Sequence, residues 1–563
     1  MERQENTCLP GISIGRKQVF SLQVSQNIAI IYDVDSKFKY SDKKKPGKQA
    51  KQEEKQMIDI TDRVHCAAAL SKIMPAEKAA EFIQDGMNLG MSGFTPSGYP
   101  KAVPLALAAR GKEHPFKVNV WTVLPGPEID TEMVKAGIIG NRMPYQTDRN
   151  CRNAINNGQI RYLDTHISTF NQMARFGFLP EHRDVDVAII EACAIKDLGK
   201  GKVGIIPTTS LGGSCGYVQS AKKVIVEVNT TQPVGLEGMH DCYVPLDPPN
   251  RKIIPIEKPE DRIGTTYIPC DLDKLVAIVP CDIPDTPSKL APISDIARAM
   301  GANLVEFLKN EVKQGRLPKN LLPLQSGVGS VANAVINGLV HSDFEDLTVY
   351  TEVIQDGMFD LIDAGKLRVA SGASLTMSAE VQKRFYSNLD KYKPHLILRP
   401  QEISNNPEVV RRLGVIGMNT AIEVDLYGNV NSSHICGTNL MNGIGGSGDF
   451  ARNGYLSIFF AESERKDGKI SSVVPFCSHI DNNEHDVDVI VSERGVADLR
   501  GLSPKERAPI IIDKIASPRY QPLLRDYFER ACVACHNSQT PHILKEAFSF
   551  HERMLETGTM EKK

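Results

Sequence analysis

The sequence predicts an α/β protein with two domains in tandem, and three observations carry that expectation. From about Ile58, stretches with strand alternation and stretches with helical spacing follow one another, the pattern of a sheet flanked by helices. Between Val276 and Pro292 the text turns to VAIVPCDIPDTPSKLAP, four prolines in a short span, which reads as a link between domains. Beyond it the same style resumes with a helix over Ile293–Gln314, a glycine turn and further strands. The expected organisation is a tail over residues 1–57, a first domain over 58–281 and a second over 282–563.

The tail opens with MERQENTCLPG and contains the lysine-rich stretch KFKYSDKKKPGKQAKQEEK, which has no apolar period and reads as mobile and dispensable for chemistry. Glu2 and Glu5 suit a mitochondrial presequence poorly, and no signal-peptide pattern is evident. The expected location is cytoplasmic, with a mitochondrial or related organelle as the alternative. In the first domain, Ser71–Ile83 reads as a helix opened near Pro75 and Met87–Ser92 as a strand. The loop Gly93–Pro100 follows, then a helix over Val103–Arg110. Later strands are expected at Lys117–Val123, Val185–Glu191 and Val224–Val228.

In the second domain, Leu347, Val349, Thr351 and Val353 alternate as one strand face. That places Thr348, Tyr350 and Glu352 on the other face, near the strand's C-terminal end, where open α/β sheets bind ligands. Upstream, Gln325–Asn333 is a glycine turn running into a helix, so bare backbone amides are expected beside Glu352. The residues alone leave three roles for this glutamate. It is a solvated edge residue, a catalytic nucleophile, or the ribose-binding acid of a dinucleotide site whose fingerprint would be Gly327-x-Gly329-x-x-Ala332. Pro323, in the short LLPLQS before that turn, makes it a poor match to the buried first strand such a site requires.

Three further stretches follow. Gln401–Pro407 is a turn opening a helix over Glu408–Leu413, where Ser404 or Asn405 could serve as caps. Ile422–Asn431 reads as a hairpin around Tyr-Gly-Asn. Asn442–Phe450 carries four glycines in six residues, which lets a backbone approach a ligand closely.

Composition excludes several classes. The 66 basic residues against 68 acidic ones argue against a nucleic-acid surface, and no apolar run approaches a membrane span. The twelve cysteines are scattered apart from Cys532-Val533-Ala534-Cys535-His536, which spells a haem-attachment motif. It lies in a stretch that suits a helix and lacks an export signal, and no second cysteine or histidine pair completes a zinc site. Neither haem nor any metal is expected there, and redox sensitivity of the pair stays open.

Taken together and in order, SGFTPSGYPKAVP, QSGVGSVANAV, YTEVIQDG, ISNNPEVVRRLG, NGIGGSGDFARN and ERGVADLRGLSP resemble the acetyl-CoA hydrolase/transferase family, and within it succinyl-CoA:acetate CoA-transferases. The likeness runs from about Ile58 to the C-terminus. It implies two open α/β CoA-transferase domains in tandem, of the NagB/RpiA/CoA-transferase-like kind. It also implies that Glu352 is the nucleophile, that Gly327, Val328, Gly329, Ser330 and Val331 contact coenzyme A, and that Asn405 handles the acyl oxygen. Gly446 would lend a backbone amide to the oxyanion hole with Asn442 beside the coenzyme, and further contacts are implied at Ile422 and Lys466.

Two-subunit-type CoA-transferases carry Ser-Glu-Asn-Gly at the nucleophile. Thr351-Glu352-Val353-Ile354 stands here, which favours the hydrolase/transferase branch and makes acetoacetate a poor first substrate. The expected activity is CoA transfer between a short-chain acyl-CoA and a carboxylic acid, first succinyl-CoA with acetate. An acetyl-CoA hydrolase using the same glutamate is the alternative, and a non-catalytic acyl-CoA-sensing module is the reading from another class. The expected partners are acyl-CoA, small carboxylic acids and a second copy in a homodimer. No cofactor is expected, coenzyme A being a substrate.

Overall fold

The computed structural model describes residues 57–123, 126–178, 184–289 and 292–562, so the tail lies outside the described residues except for its last member, Met57. Two parallel sheets dominate. The first has seven strands, beginning with Asn88–Phe94 at its centre. From there the chain steps outward through Val118–Val123, Ile139–Pro144 and Arg161–Tyr162. It then returns to the other side of the starting strand and steps outward again through Val187–Ala192, Lys223–Asn229 and Leu275–Cys281. Every pairing is parallel. The three central strands read as apolar runs buried on both faces, as a sheet covered by helices demands.

The second sheet repeats the plan with eight strands. Leu324–Ser326 starts it, and Leu347–Tyr350, Leu367–Gly372 and Leu396–Leu398 lead to one edge. Ile416–Thr420, Leu456–Phe460 and Val489–Ser492 lead to the other, where Gly495–Asp498 closes the sheet antiparallel. The order of strands reverses between Leu324–Ser326 and Ile416–Thr420, and a crevice opens at the C-terminal ends of strands wherever that happens. One apolar core is continuous across both domains, containing Leu211 and Met239 of the first and Ile354 and Leu398 of the second.

Four expectations change. The helix expected over Ser71–Ile83 shortens to Ala76–Ala80 behind Pro75, because Pro75 has no N–H to continue a helix from Ser71. Val276–Cys281, read as part of a link, is the edge strand of the first sheet, and an edge position tolerates Pro280. Leu324–Ser326 is a buried strand paired on both sides, since Pro323 stands just before it and costs it no ladder bond. The strand read through Glu352 ends at Tyr350, and Val353–Gln355 belongs to a separate ribbon with Ser374–Thr376. Tyr350 is fully buried, its hydroxyl donating to the Ile403 carbonyl at 2.6 Å, so it does not share an open face with Glu352.

The hairpin expected over Ile422–Asn431 is present as Glu423–Asp425 paired antiparallel with Val430–Asn431. Cys532 sits in the helix Gln521–Ala534, with Cys535 as its C-cap. No helix among the described residues is long and apolar enough to cross a membrane.

Candidate active site

Glu352 occupies the two-residue break between the strand Leu347–Tyr350 and the ribbon Val353–Gln355, beside the strand Leu324–Ser326 at which the second sheet reverses its strand order. Its backbone is fixed on both sides. Thr351 N–H donates to the Ser371 carbonyl at 2.8 Å, and the Glu352 carbonyl accepts from Ala373 N–H at 2.8 Å. The first domain braces this arrangement, because Leu211 N–H donates to the Ala373 carbonyl at 2.9 Å. The glycine turn is tied to the same segment by Gln355, whose Nε2 donates to the Gly327 carbonyl at 2.8 Å.

The Glu352 carboxylate receives the Asn405 side-chain amide and the Gly446 backbone N–H. Asn405 ends the short helix Gln401–Ser404 and is fully buried. The cap of the next helix, Pro407–Leu413, is Asn406 rather than Ser404 or Asn405. Gly446 opens the helix Ser447–Asn453 with φ of −89°, which any residue can adopt. Its side chain is excluded by space: a Cβ there would collide with Glu352 Oε2 and lie 2.7 Å from Asn405 Nδ2. The glycine is therefore what allows a backbone amide to approach the acid.

A cavity of about 200 Å³ opens onto Glu352. Phe94, Thr95 and Tyr145 of the first domain line one side, and Gly327, Val328, Asn442 and the loop Gly443–Ser447 line others. Among its described lining residues Glu352 is the only carboxylic acid and no basic side chain is present, and the donors are amides and hydroxyls. Asn419 Nδ2 lacks a hydrogen-bond partner, as does the buried Asn442 Oδ1, the state of groups left for a ligand or water. A larger cavity of about 550 Å³ lies beside Cys215, Cys242 and Cys270 and does not reach Glu352.

Burial pushes the Glu352 carboxyl up to about 8, and the neighbouring Asp449 carboxylate adds to the shift while Asn405 and Gly446 oppose it. Burial likewise raises Asp449 to about 6 and Asp164, beside the glycine loop, to about 7. Ile444 N–H donates to Asp164 at 2.8 Å, which ties that loop to the first domain.

The structure thus brings Glu352, Asn405 and Gly446 together and places Gly327, Val328 and Asn442 in the same cavity wall. Gly329, Ser330 and Val331 lie just outside the lining, at the start of the helix Ser330–Val340. Ile422 is half-buried beyond Thr420. Lys466 sits at φ of 52° in the turn between Glu464–Arg465 and Ile470–Ser471, and neither lines the cavity. Sequence reasoning missed Phe94, Thr95 and Tyr145, contributed from the other domain, and Asp449. The first two stand in a loop read as mere connection, and Asp449 hid among the glycines of NGIGGSGDF.

Models of the acetyl-CoA hydrolase/transferase N-terminal and C-terminal domains match residues 57–280 and 382–528. The chain belongs to the acetyl-CoA hydrolase/transferase family. Among members of this family, it is 51% identical over 492 residues to a succinyl-CoA:acetate CoA-transferase of Clostridium kluyveri, covering 87% of this chain and 90% of the relative. It is 44% identical over 521 residues to an acetyl-CoA hydrolase of Saccharomyces cerevisiae, covering 89% and 97%. Solved structures agree on the fold. RipA from Yersinia pestis superposes with a TM-score of 0.63 at 21% identity, over 84% of this chain and 99% of RipA. A 4-hydroxybutyrate CoA-transferase from Porphyromonas gingivalis gives 0.56 at 21% identity, over 82% and 98%.

Proposed function

We propose that this family member is a CoA-transferase that uses Glu352 to exchange CoA between a short-chain acyl-CoA and a carboxylic acid, with succinyl-CoA and acetate as the first pair. The observation that carries the reading is one carboxylate in a cavity wall facing two fixed neutral donors, Asn405 Nδ2 and Gly446 N–H. The C. kluyveri relative supplies the substrate pair.

In the first half-reaction Glu352 attacks the thioester carbonyl, and the tetrahedral intermediate expels CoA thiolate to leave an acyl-glutamyl anhydride. The thiolate then attacks the glutamyl carbonyl and releases the acyl group as a carboxylate, leaving glutamyl-CoA thioester. A second carboxylate reverses both steps and departs as the new acyl-CoA. Bonds balance without ATP, metal or cofactor, because one thioester is made for each one broken. The donors that now hold a Glu352 oxygen would hold the carbonyl oxygen of the glutamyl thioester, and such a donor is worth about 2.7–4 kcal/mol in the transition state. The coenzyme's long tail exceeds the cavity. Its exit over the start of the helix Ser330–Val340, toward Ile422 and Lys466, would supply binding energy to offset the cost of the anhydride. The described lining comes from both domains of one chain.

The second reading is acetyl-CoA hydrolysis through the same glutamate, favoured by the name of the S. cerevisiae relative. Water would then discharge either intermediate in place of an acid. Incubation with acetyl-CoA and no acceptor separates the two. A transferase accumulates the glutamyl thioester, which borohydride reduces to an alcohol, and peptide mapping places the altered residue at Glu352. Prior addition of succinate erases the label. Weak labelling with steady loss of acetyl-CoA marks the hydrolase. A label on Cys436 or Cys477, or substantial activity in Glu352→Ala, would sink both.

A further inference from the structure

We propose that Asp449 is a positioning residue, which holds the Asn405 side-chain amide with its NH2 group turned toward Glu352 and so fixes the donor that receives the acyl oxygen. The inference rests on the reading of Glu352 as nucleophile and deepens it.

Asp449 touches none of the expected reacting atoms, yet it is nearly fully buried between the domains. Its Oδ1 accepts from Ser168 Oγ at 2.6 Å, and its Oδ2 accepts from Ser168 N–H at 3.0 Å and from Asn405 Nδ2 at 3.4 Å. Three donors around one carboxyl fit the ionised form, which can only accept. The helix Ile167–Phe176 explains why the first domain contributes two of them. Its N-cap, His166, makes no side-chain cap, and Asp449 reaches across the domain interface to take the orphan N–H of Ser168 in the first turn. The cap of a first-domain helix is thus a second-domain carboxylate. A helix N-terminus stabilises that negative charge where burial alone would not.

The amide of Asn405 is consequently defined at both ends. Ser404 Oγ donates to its Oδ1 at 2.7 Å, and its Nδ2 donates to Asp449, leaving the second N–H of the amide for Glu352. The flipped amide would set its oxygen against two carboxyl groups and present no donor to either. Asp449 therefore selects the orientation that makes Asn405 an oxyanion donor. It also links that donor to the first domain through Ser168.

A second consequence is electrostatic. The groups facing this pair are His166, half-exposed with Nδ1 3.9 Å from Asp449 Oδ1, and Tyr145, whose buried hydroxyl lies near Glu352 with Asp164 behind it. No cation lines the cavity among the described residues, so the Asp449 charge adds to the burial that raises Glu352 above the usual carboxylate range, against the opposing hydrogen bonds of Asn405 and Gly446.

The test is a double-mutant cycle on transfer from acetyl-CoA to succinate. Asn405→Ala should lose ~10²-fold in kcat by removing the donor, and Asp449→Ala should lose more than ~10-fold, because it removes the acceptor that orients the Asn405 amide. The double variant should be no slower than Asn405→Ala alone to within about twofold, whereas independent roles would multiply. In Asp449→Ala the acidic limb of the kcat profile should also move to lower pH, which a merely structural defect would not produce. Ser168→Ala, which removes one donor to Asp449 and keeps the backbone one, serves if the acid variant fails to fold. Its few-fold loss should vanish in the Asn405→Ala background. Multiplying losses, an unmoved limb, or full activity in Asp449→Ala would overturn the proposal. Failure of the nucleophile reading shows separately, as activity retained in Glu352→Ala.

Discussion

At the scale of single residues, Glu352 carries a cost that its chemistry explains. It stays protonated in the folded protein up to about pH 8, against 4.5 for an ordinary glutamate. The folded state therefore binds more protons than the unfolded chain between those values, and stability falls as pH rises through that window. Glu352→Gln removes the ionisation and should stabilise the protein at pH 8 by on the order of 1 kcal/mol, about 2 °C in thermal unfolding, with the gain vanishing below pH 4.5. Equal melting temperatures at both pH values would mean that the acid is not held protonated. Because the nucleophile must be ionised, kcat of the native protein should rise with pH through about 8. Gly446 offers a prediction of different origin. Gly446→Ala keeps the backbone N–H and an accessible φ, but its Cβ would push Glu352 and Asn405 apart, so turnover should drop ~10²-fold or more while CoA still binds. Near-native turnover would show that the close approach is dispensable.

At the scale of elements, the site depends on how strands end. The sequence pattern around Leu347 is a true strand signal and gave the right neighbourhood for Glu352, but periodicity cannot see a break. Thr351 and Glu352 continue the alternation in text while the backbone changes sheets, as the bonds from Ser371 and Ala373 show only in three dimensions. The glycine turn was legible for a firmer reason. Gly329 adopts φ of 133° and ψ of −179°, a region open to glycine alone, immediately before the helix Ser330–Val340. Pro323 misled because its position just outside a buried strand reads, in text, like a position within it. Gly329→Ala meets open space and so acts by backbone strain, about 1–3 kcal/mol, which relaxing the turn would relieve. The expected outcome, on the proposed reading in which the turn binds coenzyme and Glu352 does the chemistry, is a KM for acetyl-CoA raised about tenfold with kcat changed far less. A loss confined to kcat would move the coenzyme away from this turn.

At the scale of the whole molecule, two domains of similar topology hold one proposed nucleophile, and the buried charges of the first offer a physical reason. Its strand order reverses between Asn88–Phe94 and Val187–Ala192, the counterpart of the reversal between Leu324–Ser326 and Ile416–Thr420 whose strand ends line the Glu352 cavity. In the first domain the crevice is filled from within. Lys101 Nζ pairs with Glu191 Oε1 at 2.6 Å and Asp285 Oδ1 at 2.9 Å, and Glu227 accepts the backbone N–H groups of Lys101, Ala102 and Val103 at the start of the helix Ala102–Glu113. The amides that a helix N-terminus would offer a ligand are thus taken by the chain's own carboxylate. This was illegible in sequence, because Lys101, Glu191, Glu227 and Asp285 lie far apart in the chain and no local pattern joins them.

The filled crevice also serves the working one. Asp285 holds Gly98 N–H and Thr209 Oγ1, and Ser97 Oγ donates to the Leu375 carbonyl in the ribbon that follows Glu352, so the cluster sets the loop that begins at Thr95 after Phe94. Lys101→Met fills similar volume but leaves Glu191 and Asp285 buried without a cation, a loss typically of about 3–5 kcal/mol. Thermal unfolding should fall markedly. Adding Glu191→Gln and Asp285→Asn should recover most of that loss, since neutral amides need no counter-ion. If the single variant melted like the native protein, the cluster would not hold the first domain together. If the triple variant regained its melting temperature and kept transfer activity, the charges would be shown to stabilise the scaffold while the chemistry stays in the second domain.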